Sequence, residues 1–225
     1  MPAARFPLPR RLAAVAAAAG LLAACSIGEP APADHFYRLT VAAPAAAGAA
    51  AGPVAEGIAM VQSFEVSGVL NQRALLWTTS GVELQQYSYH FWSEPPARAL
   101  QDALVQVLRD TGAFTEVVTP GFRQRPDWTI QARVNRLELV GPSGSDSGVQ
   151  SARVAISFTV TDGYGETVVL TRSYEEEPAV GGGSVAEGAR ALSTAVETIY
   201  GRFLQDLRAT AFTTATERPL GRPRR

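Results

Sequence analysis

The stretch Val149-Gln-Ser-Ala-Arg-Val-Ala-Ile-Ser-Phe-Thr-Val-Thr161 decides the fold class. Val154, Ile156, Phe158 and Val160 alternate with Arg153, Ala155, Ser157 and Thr159, so a strand here buries one face and turns a smaller, more polar one outward. Three neighbouring runs, Phe114 to Thr119, Trp128 to Val140 and Glu166 to Tyr174, are equally rich in Val, Ile, Thr and aromatics. Gly141 to Gly148 and Asp162-Gly163-Tyr164-Gly165 supply turns between them, which predicts an antiparallel meander.

Two helices flank this block. Upstream, Leu100, Ala103, Leu104, Val107 and Leu108 recur at helical spacing, with Ser93 as the expected cap, Pro95 and Pro96 in the first turn, and Gly112 in the C-cap position. Downstream, Gly181-Gly182-Gly183 ends the meander, and Ser184-Val-Ala-Glu187 is a capping box opening a helix whose apolar face is Leu192, Val196, Ile199, Phe203 and Leu207. Earlier in the chain, His35 to Thr40 and Gly57 to Val66 read as strands, the second turning at Ser67-Gly68. Arg73 to Thr79 and Val82 to Tyr89 form a hairpin about Ser80-Gly81, and the Ala/Gly/Pro stretch 41–53 is a loop. The sum is an α+β fold: an antiparallel sheet with two amphipathic helices packed on one face.

The N-terminus has a different character. Arg5, Arg10 and Arg11 precede the apolar run Leu12 to Ala24, the layout of a secretory signal and shorter than the roughly 20 residues a membrane span needs. The run ends Leu22-Ala23-Ala24-Cys25, which resembles the lipobox of bacterial lipoproteins. Cleavage is then expected after Ala24, with diacylglycerol and N-acyl lipid carried covalently on Cys25, the chain's single cysteine. Several acyl chains hold a protein at a membrane where one would not. Ser26 replaces the Asp that marks inner-membrane retention in lipoproteins of enterobacterial type, which favours the periplasmic face of the outer membrane. Residues 1–24 are therefore read as signal, 25–34 as acylated cysteine and proline-spaced tether, 35–210 as the folded domain and 211–225 as a flexible basic tail.

All 20 basic residues are arginines; loss of three with the signal leaves 17 against 21 acidic residues, a formal charge of −4. No basic stripe points to nucleic acid. His35 and His90 have no carboxylate or thiol at metal-ligand spacing, the triple glycine lacks the Lys and Ser/Thr of a phosphate loop, and no nucleophile–base motif stands out. The expectation is a non-enzyme with no metal and no cofactor beyond its covalent lipid. The unusual local feature is aromatic density: Trp77, Tyr87, Tyr89, Phe91 and Trp92. Tyr87, Tyr89 and Phe91 share strand parity, so they are expected on one face, either as core or, with Leu70 and Trp77, as a partner surface.

Val66-Ser-Gly-Val-Leu-Asn-Gln-Arg73, Leu84-Gln-Gln-Tyr-Ser-Tyr-His-Phe-Trp-Ser-Glu-Pro-Pro96, the helix after it and Thr111-Gly-Ala-Phe114 together resemble the ABC-type transport auxiliary lipoproteins. The resemblance extends over the domain at 35–210. It implies a non-catalytic subunit of an MCE-type system, such as the paraquat-inducible ones. There a permease and an ATPase at the inner membrane work with MCE-domain proteins to move phospholipid or other hydrophobic molecules. Two roles follow: docking or assembly at the outer membrane, or a lipid shuttle holding an acyl chain between sheet and helices. A closed core favours the first and a tunnel the second. Assembly into a homo-oligomer stays open.

Overall fold

The computed structural model describes residues 32–42, 52–66, 68–121, 123–142, 147–163, 167–210 and 212. The signal, Cys25, most of the tether and of the 41–53 loop, Ser67, parts of the two meander turns and nearly all of the tail lie outside them. The strands are β1 (His35–Tyr37), β2 (Ala55–Val61), β3 (Glu65–Val66), β4 (Ala74–Thr78), β5 (Gln85–Trp92), β6 (Phe114–Val118), β7 (Trp128–Val140), β8 (Ser151–Asp162) and β9 (Thr167–Glu176). The helices are α1 (Pro96–Asp110) and α2 (Val185–Ala209), and a short 3-10 turn occupies Gly68–Asn71.

The fold is α+β, and its organising strand is β7. Along one edge β7 pairs antiparallel with β8 from Trp128↔Asp162 to Val140↔Ser151, and β9 continues the meander. Along the other edge three short strands follow one another: β2 beside Trp128 to Ile130, β3 beside Arg133 and Val134, β4 beside Leu139 and Val140. All three run parallel to β7, and β6 runs parallel to β2. The sheet is therefore mixed, where an antiparallel one was expected. The physical reason is α1: a helix inserted between strands reverses the chain once more, and parallel pairing needs such a crossover.

The alternation read in residues 153–160 is realised, with Val154, Ile156, Phe158 and Val160 buried. Phe158 stacks on Phe203 of α2, and Tyr174 and Tyr200 contact its ring from the sides. Tyr200 is fully buried and donates its hydroxyl to the Leu100 carbonyl at 2.8 Å, tying α2 to α1. Burial pushes the Tyr200 phenol well above its ordinary pKa, so it remains a donor.

Both helix ends of α1 have identifiable chemistry. Gly112 takes φ +58°, its amide bonds to the Arg109 carbonyl, and the Ala113 amide to that of Leu108, a Schellman motif that satisfies two terminal carbonyls. At the N-terminus the cap is not Ser93. Pro95 occupies the cap position and has no side-chain bond to give; the Ala97 amide instead donates to Asn71 Oδ1 at 3.2 Å, from the 3-10 turn. For α2 the capping box forms as expected, Ser184 Oγ accepting from the Glu187 amide and the Glu187 carboxylate accepting from the Ser184 amide.

Candidate functional site

The aromatic hairpin is divided by the structure between core and surface. Opposite β4, the register runs from Ala74↔Phe91 to Leu76↔Gln86, two steps on β4 against five on β5. The extra residues form a bulge, and a bulge re-aims side chains. Tyr87 turns inward at 3% exposure and Tyr89 outward at 37%, so the shared face expected from parity does not exist. Leu70, in the 3-10 turn, is 8% exposed and belongs to the interior. Trp77 and Phe91 are half-buried. Of the five residues named as a candidate partner surface, Tyr89 is exposed and Phe91 half-buried.

Strand β1 completes this region by pairing parallel with β5, His35↔His90 through Tyr37↔Trp92. On the inner side, buried His90 accepts or donates a hydrogen bond at Nδ1 with the Tyr37 hydroxyl at 2.8 Å, and its ring stacks on His35 at 5.1 Å. Tyr87 meets His90 edge-on at 5.4 Å and lies 6.4 Å from Trp77. These rings hold β1 to the sheet. On the outer side, Phe36 is 58% exposed and stacks on Phe91 at 5.7 Å, with the Arg73 guanidinium 5.5 Å from the Phe36 ring centre. Arg73 is positioned by donating from Nε to the Trp92 carbonyl at 3.1 Å.

Phe36 was not singled out by sequence, and neither His90, weighed there only as a metal ligand, nor Arg73, noted only in a family motif, was expected beside it. Their meeting depends on a parallel pair between residues far apart in the chain, and no local spacing encodes that. Among the described residues no group of three or more His, Cys, Asp or Glu is placed to hold a metal. Cys25 and Ala24 fall outside the described residues.

The solvent face of the meander holds a second feature, an open depression of about 420 Å³ lined by Glu65, Arg133, Asn135, Ser157 and Ser173 among others. Arg133 pairs with Glu65 at 2.7 Å. Ser157 bonds to Asn135 Nδ2 at 2.8 Å and to Ser173 Oγ at 2.9 Å, and neither partner can take its proton. The arrangement is a hydrogen-bonded polar surface in which the partners of Ser157 are an amide and a hydroxyl.

A family model described as the ABC-type transport auxiliary lipoprotein component matches residues 37–201, from the end of β1 to the last third of α2. The chain belongs to this family. It is thus an auxiliary lipoprotein component of ABC-type transport, a description that names an accessory role and no catalytic one. Among solved structures, a Xanthomonas campestris protein of the DUF330 family is similar at a TM-score of 0.63 and 18% identity, over 77% of this chain and 95% of that one. A second, an uncharacterized protein, matches at a TM-score of 0.57 and 14% identity, over 78% and 99%. At such identities the likeness is one of fold. No curated protein matches the chain.

Proposed function

We propose that this family member is the docking subunit of an MCE-type transport system. Acyl chains on Cys25 fix it at the periplasmic face of the outer membrane, and its domain receives the far end of an MCE-domain assembly. The partner permease and ATPase carry out transport of phospholipid or other hydrophobic cargo. The observation that supports docking over lipid carriage is the set of bulky side chains that occupy the space between sheet and helices among the described residues. Trp128, Phe158, Tyr200, Phe203, Leu104 and Leu139 are fully buried where a carrier would keep its acyl chain. A site for such a ligand is mostly apolar and on the order of 300–1,000 Å³. The 420 Å³ depression has that volume, but it is open and lies on the polar outer face of the sheet.

The reading is tested by purifying the full acylated chain from membranes and weighing what accompanies it by native mass spectrometry. An MCE-domain protein, with no lipid beyond that bonded to Cys25, is the expected result. A phospholipid held non-covalently in stoichiometric amount, without an MCE protein, would make the chain a carrier.

A further inference from the structure

We propose that the outer side of the β1–β5 edge, formed by Phe36, Phe91, Tyr89 and Arg73, is a second and non-covalent contact with the bilayer, lying against phospholipid headgroups. This rests on acylation of Cys25, as in the function proposed above. Several observations lead to it. Phe36 is the largest side chain among the strongly exposed apolar residues, and Phe91 stacks on it. Tyr89 lies two positions from Phe91 on the same strand and also faces out. Aromatic rings with an apolar body are the side chains favoured at the headgroup level of a membrane.

Arg73 supplies a cation over the Phe36 ring, exposed Arg38 directly follows β1, and exposed Asp34 precedes it. A guanidinium matches phosphate geometry and can bond to two of its oxygens at once.

The occupant is identified by where the chain outside the folded domain ends. Nine residues, 26–34, separate Cys25 from His35. At about 3.3–3.6 Å per residue, the ten steps from Cys25 to His35 reach at most roughly 36 Å. With Cys25 in the bilayer, β1 is the first element of the domain that the tether can deliver to its surface. So short a link makes the second contact intramolecular, at an effective concentration on the order of mM. Val82 and Val168, the other exposed apolar residues of size, lie at the tip of the β4–β5 loop and at the start of β9. Three rings also make a small protein interface, which takes about 20–30 residues a side, whereas each interfacial aromatic acts singly at a membrane. Because the acyl chains already supply retention, the contact sets orientation: it holds the β1 edge down and leaves the rest of the domain to meet its partner.

The test uses the full chain in a bacterial envelope, with a benzophenone amino acid in place of Phe36 or, as control, of Val168, which is 60% exposed on β9. Irradiation is expected to yield phospholipid-linked protein severalfold more at position 36 than at 168. A protein adduct at 36, equal lipid labelling at both positions, or no lipid adduct at 36 would overturn the inference. As a second measurement, Phe36→Trp in vesicles of phosphatidylethanolamine and phosphatidylglycerol is expected to be quenched by brominated lipid. Arg73→Glu is expected to reduce that quenching; unquenched emission also overturns the proposal. Palmitate labelling of the same preparations separates the two readings: without acylation of Cys25 the anchor itself fails, whereas an acylated chain with no lipid adduct at 36 removes only the second contact.

Discussion

Phe203 of α2 lies flat against Phe158 of β8, the ring centroids 4.2 Å apart and the planes 13° from parallel. The pair joins the second helix to the middle of the meander at a point where both side chains are fully buried. Phe203→Ala leaves a cavity that Tyr174 and Tyr200, each hydrogen-bonded elsewhere, cannot move to fill. The expected cost is about 3–5 kcal/mol. Against a total stability of about 5–15 kcal/mol this is large, and urea unfolding should show it as a lower midpoint at an unchanged slope.

Gly188→Ala tests the closest approach of α2 to the sheet. A β-carbon there would stand 2.9 Å from both terminal methyls of Leu139 and 3.2 Å from Val149 Cγ1. Leu139 is fully buried, so its methyls can give way only by repacking the core around them. Alanine improves helix propensity by about 1 kcal/mol, while overpacking costs about 1–3 kcal/mol. Steric cost wins, and the variant is expected to melt below wild type. An increase in melting temperature would mean that the helix can shift outward at this point.

Glu177 gives the fold a pH dependence. Its carboxylate accepts two hydrogen bonds from Arg153, at 2.8 and 3.0 Å, and one from Ser151 at 2.7 Å, which hold its pKa below the ordinary glutamate value, the bond to Arg153 being the main cause. A carboxyl whose native pKa is depressed contributes stability that is fully present above its unfolded pKa and is lost as pH falls through the native one. Acid titration of stability should therefore steepen below the ordinary glutamate range. Glu177→Gln should flatten that part of the curve and leave the shape at neutral pH unchanged. An identical acid limb in the variant would assign the loss to other carboxylates.

How far the sequence went can be seen in particular elements. Both helices, the Ser184–Glu187 capping box, the Gly112 cap and the inward set on β8 were legible because each depends on residues within a few positions of one another. The parallel strands along β7 were not, since Ala59↔Trp128 and Glu65↔Arg133 are chosen by a crossover and not by spacing. Asn71 displaced Ser93 as the cap of α1 for a similar reason: the 3-10 turn brings a distant carbonyl oxygen to the Ala97 amide. Family membership was legible from motifs in 66–114. The aromatic surface was half legible: its residues stood out, but their facing depended on the β5 bulge.

That bulge yields the last prediction. Tyr87 and Tyr89 are the same residue type two positions apart, and by strand parity their alanine variants should behave alike. The structure sets them on opposite sides. Tyr87→Ala removes a ring packed on His90 and Trp77 in the interior, for a loss of about 3–5 kcal/mol, and would loosen the grip of β5 on β1. Tyr89→Ala changes an outward side chain and is expected to stay within about 0.5 kcal/mol of wild type. Thermal melts of the two variants separate fold from surface before any binding is measured. Co-purification of the proposed MCE-domain partner with stable Tyr89→Ala then decides what the outer side of β5 meets. Retention is expected on the bilayer contact proposed above. If a Tyr89→Ala protein with a wild-type melt loses the MCE protein, the strand is the partner surface and the membrane contact must be given up.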